Sequence, residues 1–147
     1  MTQEQKLLLK DLCARVPYKP KVKVLHVWNE DKEIEEDIMD TVYCVLPDGY
    51  INTETIDSDI PFIDVILYLR PMSSMTDEEK EELKQEHVKD EKLYAECLTK
   101  AANGDNSMRG KVIPHFAADW CNKNHFDYRG LIPMGLALEA KEGMYEF

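Results

Sequence analysis

The chain opens on a helical period. Leu8, Leu9, Leu12, Cys13 and Val16 recur at three- and four-residue spacing and define one apolar face. Thr2 with Gln5 three residues on reads as a capping box that starts this helix. Pro17 ends it, because the residue before a proline is pushed out of the α region. From Lys21 the period shortens to two: Val22 and Val24 alternate with lysines and the run to Trp28 becomes apolar, as in a strand entering a sheet. Asn29 to Asp40 is highly acidic and is expected to be a loop or an exposed hairpin tip. Thr41 to Leu46, β-branched and aromatic, reads as a second strand. Pro47, Asp48 and Gly49 signal a turn, and Tyr50 to Thr53 follow as a third strand of a hairpin. Phe62 to Leu69, between Pro61 and Pro71, is too short for a typical helix and reads as a last strand.

Helical patterning returns at Thr76, a cap with Glu79 at the third helical position and Asp77 and Glu78 in the first turn, where the macrodipole favours anions. This helix is expected to run to about residue 102. Its first half is charged and faces water, and its second half is buried through Tyr94, Cys97, Leu98 and Ala101. Asn103 to Asn106 stops it, Pro114 fits the first turn of another helix, and Phe116, Ala117, Trp120 and Cys121 form that helix's apolar face. The tail with Leu131, Ile132, Leu136 and Leu138 is apolar enough to fold back on the core. The expected fold is therefore one α+β domain over residues 1–147. An N-terminal helix (1–17) is followed by a β part (21–70), a small antiparallel sheet or partly open barrel of three to five strands, and then by a helical part (76–147).

Length and composition agree with this. A chain of 147 residues can bury a core without disulfide or metal staples. The longest apolar run, Ile60 to Leu69, is broken by Pro61 and Asp64 and falls short of the roughly 20 residues a membrane helix needs. The N-terminus shows no basic region followed by an apolar one, so a cytoplasmic protein without membrane association is expected. Cys13, Cys44, Cys97 and Cys121 form no CxxC pair, which removes zinc-ribbon and thioredoxin-type chemistry. They are expected to be reduced and mostly buried.

Charge narrows the partners. The net charge is −11. Residues 30–40 hold seven acidic groups against Lys32, and residues 77–96 hold nine against four lysines. Affinity for nucleic acid comes chiefly from Lys and Arg on phosphates, so direct nucleic-acid binding is disfavoured. An acidic face such as Glu30, Asp31, Glu33, Glu35, Glu36 and Asp37 can instead imitate a polyanion or dock on a basic partner, or it can simply be solvated.

Catalytic patterns are sparse. No phosphate-binding glycine loop, nucleophile elbow or HExxH helix occurs. His115, Cys121 and His125 give a metal-like grouping, with Cys121 and His125 one helical turn apart if the helix continues, but structural zinc wants four ligands. The same residues could form a Cys-His nucleophile pair, for which no local signature exists. Neither a metal nor an organic cofactor is expected. One polar cluster combines aromatic residues with an ion-pairing couple and a glycine, His125 to Gly130. Its aromatic residues, with Asp127, Tyr128 and Arg129, read either as a recognition surface or as a packed corner in which Arg129 pairs with Asp127 or an acidic helix. Arg70 poses the same choice.

Three segments carry a family resemblance: Leu7 to Tyr18 (LLLKDLCARVPY), Tyr68 to Lys80 (YLRPMSSMTDEEK) and His125 to Ala140 (HFDYRGLIPMGLALEA). They resemble a set of small uncharacterised proteins of gut Bacteroides genomes and their phages and mobile elements. Many of those carry Glu-Lys where this chain has Pro133 and Met134, and a proline at Lys141. The resemblance implies the helix–sheet–helix architecture and no particular activity. By association it implies a binding protein that acts on host machinery. The expectation is a non-catalytic module docking on a protein partner through its acidic surface or its β loops. The alternative is a small enzyme or small-molecule sensor with a pocket lined by Tyr68, Arg70, Trp120, His125 and Arg129.

Overall fold

The computed structural model describes residues 1–86, 99, 103 and 115–145. Gln3–Arg15 form α1. The capping box closes in both directions: Thr2 Oγ1 accepts the Gln5 N–H at 3.1 Å, and the Thr2 N–H donates to Gln5 Oε1 at 2.8 Å. Pro17 lies in the 3₁₀ turn Val16–Tyr18 that ends the helix. The inward face differs from the apolar stripe. Leu8 and Leu12 are buried, yet Asp11 and Arg15 share their face at 0% exposure, while Cys13 is exposed. The residues at 8, 11, 12 and 15 form the row that meets the rest of the protein.

Six strands follow: β1 (Lys21–Asn29), β2 (Ile34–Val45), β3 (Tyr50–Thr53), β4 (Ile60–Pro61), β5 (Val65–Leu69) and β6 (Ala137–Glu139). They form one open sheet in the order β4-β3-β2-β1-β5-β6. All neighbours are antiparallel except β5 and β6, which run parallel. The α+β class holds, but the sheet is larger than expected and mixed. Its sixth strand comes from the tail, three residues too few to carry a period of their own. Hydrogen bonding to β5 defines it, including the Ala140 N–H to the Leu69 carbonyl at 2.7 Å.

The acidic stretch 29–40 also differs from expectation. Only residues 30–33 turn; Ile34 to Asp40 belong to β2. Asp40 is buried at the hairpin's base and accepts Thr55 Oγ1 at 2.6 Å, the Thr55 N–H at 3.2 Å and the Thr41 N–H at 2.8 Å. Burial pushes its carboxyl upward, but these donors outweigh it and hold the pKa below the ordinary value. Gly49, at φ +86°, completes the next turn, where an added Cβ would meet the Phe62 ring at 3.2 Å.

Two clusters fill the interior. Leu8 and Leu12 of α1 pack on one sheet face with Val22, Val24, Val42, Ile51, Leu67 and Leu69, and Leu131 closes the layer from the tail. Beyond the end of β5, Met72, Met75, Leu83, Trp120, Cys121 and Phe126 gather. Two helices contribute to this cluster, Leu83 from α2 (Asp77–Glu86) and Trp120 and Cys121 from α3 (His115–Lys123). The Thr76 cap of α2 is present, with the Glu79 N–H donating to Thr76 Oγ1 at 3.2 Å. Leu83 is the buried position on an otherwise charged surface. Tyr94, Cys97, Leu98, Ala101 and Pro114 lie outside the described residues. The helical C-terminal part is smaller than predicted, because from residue 124 the chain runs through turns, with positive φ at His125, Gly130, Gly135 and Gly143. No described helix is long and apolar enough to cross a membrane.

Candidate binding surface

The residues singled out near the C-terminus converge, and the structure shows what each one holds. The helix does not continue to His125, whose φ of 61° turns the chain out of α3, so Cys121 and His125 do not share a helix face. Phe126 then pairs with Arg70 in a parallel bridge: the Arg70 N–H donates to the His125 carbonyl at 2.8 Å, and the Asp127 N–H to the Arg70 carbonyl at 2.9 Å.

Around this bridge the side chains are committed to one another. Both Arg70 Nη atoms donate to Glu79 at 2.8 Å, and the guanidinium lies 4.1 Å from the Phe126 ring centre. Burial raises the Glu79 pKa, but Arg70 and Thr76 prevail and lower it. Trp120 stacks on Phe126 at 5.6 Å and donates to Glu82 at 3.3 Å. His125 stacks on Tyr145 at 3.7 Å, and Tyr145 in turn donates to the carbonyl of the buried Tyr68 at 2.8 Å.

Arg129 does not pair with Asp127. The Asp127 carboxylate accepts the Leu131 and Ile132 N–H groups at 2.7 and 2.9 Å, while Arg129 Nε donates to Asp11 at 3.0 Å. The guanidiniums of Arg15 and Arg129 lie 5.6 and 4.9 Å from the centre of the Tyr128 ring.

Electrostatics at this corner disfavour nucleophilic chemistry. Burial pushes the Cys121 thiol up to about 12, so it stays protonated near neutral pH. Burial, reinforced by Arg15, Arg70 and Lys21, pushes the His125 imidazole down to about 3 and keeps it neutral. Among the described residues no group of three or more His, Cys, Asp or Glu is arranged to hold a metal ion. An open groove of about 390 Å³ adjoins the corner, lined by Arg70, Ser74, Glu139, Lys141, Glu142 and Tyr145 among others. Of the residues expected to line a pocket, Arg70 alone reaches it.

The opposite end of the sheet presents a different surface. β5 pairs with β1 only at Val22 to Val24, and β3 pairs with β2 only from Val42 onward. The rest of the β1–β2 hairpin therefore projects as a two-stranded arm. Alternation along β2 puts Glu35, Asp37, Met39, Thr41 and Tyr43 on the face away from the α1-packed core. Register adds Trp28 opposite Glu35 and Lys23 opposite Met39. Trp28, Met39 and Tyr43 are 57, 54 and 55% exposed, and Tyr50 on β3 is 40% exposed.

Carboxylates flank the Trp28 and Met39 end of this row. Glu30, Asp31 and Glu33 form the exposed tip, and Glu35 and Asp37 lie beside Trp28 and Met39. Asp37 Oδ1 accepts the His26 N–H at 3.2 Å, and its other oxygen lies 3.5 Å from Lys23 Nζ. Glu36 is on the other face, where a 2.6 Å hydrogen bond from Asn29, and then Lys32, lower its pKa. Trp28 and Tyr43 fall in the two expected strands, but Met39 lies in the stretch expected to be a loop or hairpin tip, so the sequence does not show that they share a face. The signal is a period of two through Glu35, Asp37, Met39, Thr41 and Tyr43, hidden by their mixed polarity and by the apolar Ile38 between them. Comparisons with protein-family models, with curated proteins and with solved structures find no match for this chain.

Proposed function

We propose that this chain is a non-catalytic binding protein that takes a protein partner on the outward face of its β1–β2 arm. The observation that carries the reading is the row of Trp28, Met39 and Tyr43, each more than half exposed, on one strand face flanked by carboxylates. Single exposed apolar residues need no explanation, but three large apolar side chains on one face of a projecting hairpin, interleaved with carboxylates, have the composition of a contact surface. The carboxylates steer a basic partner and raise its association rate, while the aromatic row supplies the buried contact. Origin in a phage or mobile element, which the family resemblance implies, makes that partner a host protein by association only.

A capture experiment tests this. The full chain and a Trp28→Ser/Tyr43→Ser variant are immobilised and exposed to bacterial lysate, with Gln85→Ser on α2 as a control surface change. The reading expects a protein retained by the wild type and the control and lost from the arm variant. Equal retention by all three would remove the arm as the binding surface. A second reading, a small-molecule sensor, rests on the groove beside Arg70 and Tyr145. Arg70 is already engaged by Glu79, which leaves Lys141 as the cation at that rim for an anionic ligand. A thermal shift with small carboxylates or phosphates, abolished by Lys141→Ala, would favour it.

A further inference from the structure

Taking the arm as the binding surface, we infer that the partner contributes an extended lysine- and arginine-rich segment, which adds as a strand to the open edge of β2 between Ile34 and Met39. Among the described residues, no backbone hydrogen bond joins this stretch to any element but β1. Alternate residues of a strand point their N–H and C=O groups to the same side, so an unpaired row of donors and acceptors faces outward here.

The other edges of this sheet are closed to such an addition. β4 has two residues and β6 three. The free edge of β1 beyond Val24 is broken by a bulge with one extra residue, where His26 adopts φ 58° and gives its N–H to Asp37. The extra residue sits on β1, and the irregularity of β2 lies further on, between Val42 and Cys44, so residues 34–39 stay regular. Short edges and bulges are the usual protections against strand pairing. The β2 edge has neither, and it also displays Ile34 at 47% and Met39 at 54% exposure.

Charge identifies the occupant. A second copy of this chain would set carboxylates opposite carboxylates, and like charges across a ladder are destabilising. Glu35 and Asp37 project on the same face of the strand, so an added strand with cations at alternate positions meets opposite charge along that face. Main-chain hydrogen bonds would give such a segment its affinity, and the alternating side chains its specificity.

The test uses the full chain and three synthetic probes: an alternating Lys-Val peptide, its Glu-Val counterpart, and the Lys-Val peptide N-methylated at alternate residues. Binding is read by fluorescence anisotropy at low and high salt, and its location by backbone amide shifts. The Lys-Val peptide is expected to bind, to weaken with salt, and to shift the amides of residues 34–39; the Glu-Val peptide is not expected to bind. N-methylation is expected to weaken binding about tenfold or more, the loss when two or three ladder hydrogen bonds cannot form. Equal affinity for the methylated peptide, or shifts elsewhere on the sheet, overturns strand addition. If Trp28→Ser/Tyr43→Ser abolishes capture of the cellular partner while the Lys-Val peptide does not bind, strand addition fails and the arm remains the binding surface. If the arm variant keeps its partner, the surface assignment itself has failed.

Discussion

Arg15 and Phe126, 111 positions apart, are joined by a 2.6 Å hydrogen bond from Arg15 Nη2 to the Phe126 carbonyl. The same guanidinium donates through Nε to Asp11 at 2.7 Å, and both residues are completely buried. Asp11 also accepts Arg129, so one carboxylate of the first helix fixes two points of the C-terminal corner. Arg15→Met leaves the buried Asp11 without its main partner and is expected to cost about 3–5 kcal/mol, the range for removing one half of a buried pair. Urea unfolding measures this. A loss below about 1 kcal/mol would mean that apolar packing and the Arg129–Asp11 contact hold α1 to the corner without Arg15.

Trp120 is 5% exposed and stacks on Phe126 within the second cluster. Its replacement by alanine opens a large cavity between α3 and the end of β5. Destabilisation of about 3–5 kcal/mol is expected by the same unfolding measurement.

His125 gives the fold a pH dependence. Folded, its imidazole resists protonation down to about 3, against an ordinary value of 6.5, because burial and neighbouring cations disfavour the charge. Between those values the unfolded chain holds a proton that the folded one does not. Stability is therefore complete above about 6.5 and falls as the pH drops, by about 1.4 kcal/mol per unit. His125→Asn, a residue that tolerates the positive φ at this position, is expected to flatten the slope between pH 7 and pH 5. An unchanged slope in the variant would assign the effect to another group.

The described cysteines separate by position. Cys13 is exposed on α1, Cys44 is half-buried on β2, and Cys121 is buried with its thiol pushed up to about 12. Brief alkylation of the native protein is expected to modify Cys13 first and to spare Cys121 until the chain unfolds. Peptide mapping by mass spectrometry reads the order, and rapid native labelling of Cys121 would contradict its burial.

The tip carboxylates are expected to matter for association and not for folding. Glu30→Gln, Asp31→Asn, Glu33→Gln and Glu35→Gln together remove four like charges from exposed positions of one short segment. Stability should hold within about 0.5 kcal/mol, as for ordinary surface changes, or rise as self-repulsion falls. Partner association should slow, and its sensitivity to salt should decrease. Unchanged association kinetics at low salt would show that these charges do not steer the partner.

Local chemistry in the sequence was enough to determine where elements begin and stop. Thr2 with Gln5 and Thr76 with Glu79 set two helix starts, Pro17 ended a helix, and Gly49 completed a turn, because each acts on backbone groups within a few residues. The sequence also marked Arg70 and residues 125–130 as a polar cluster without showing which partners they choose. Those choices belong to the tertiary structure. Asp11 and Arg15 lie outside the apolar stripe of the first helix, yet both are as fully buried as Leu12 because Phe126 and Arg129 arrive from the far end of the chain. Ala137–Glu139 became a strand only because β5 offers it a ladder, and the acidic stretch became a projecting arm only because β3 and β5 stop short of it. A strand's identity lies in hydrogen bonds to residues distant in sequence, so periodicity alone could not reveal it.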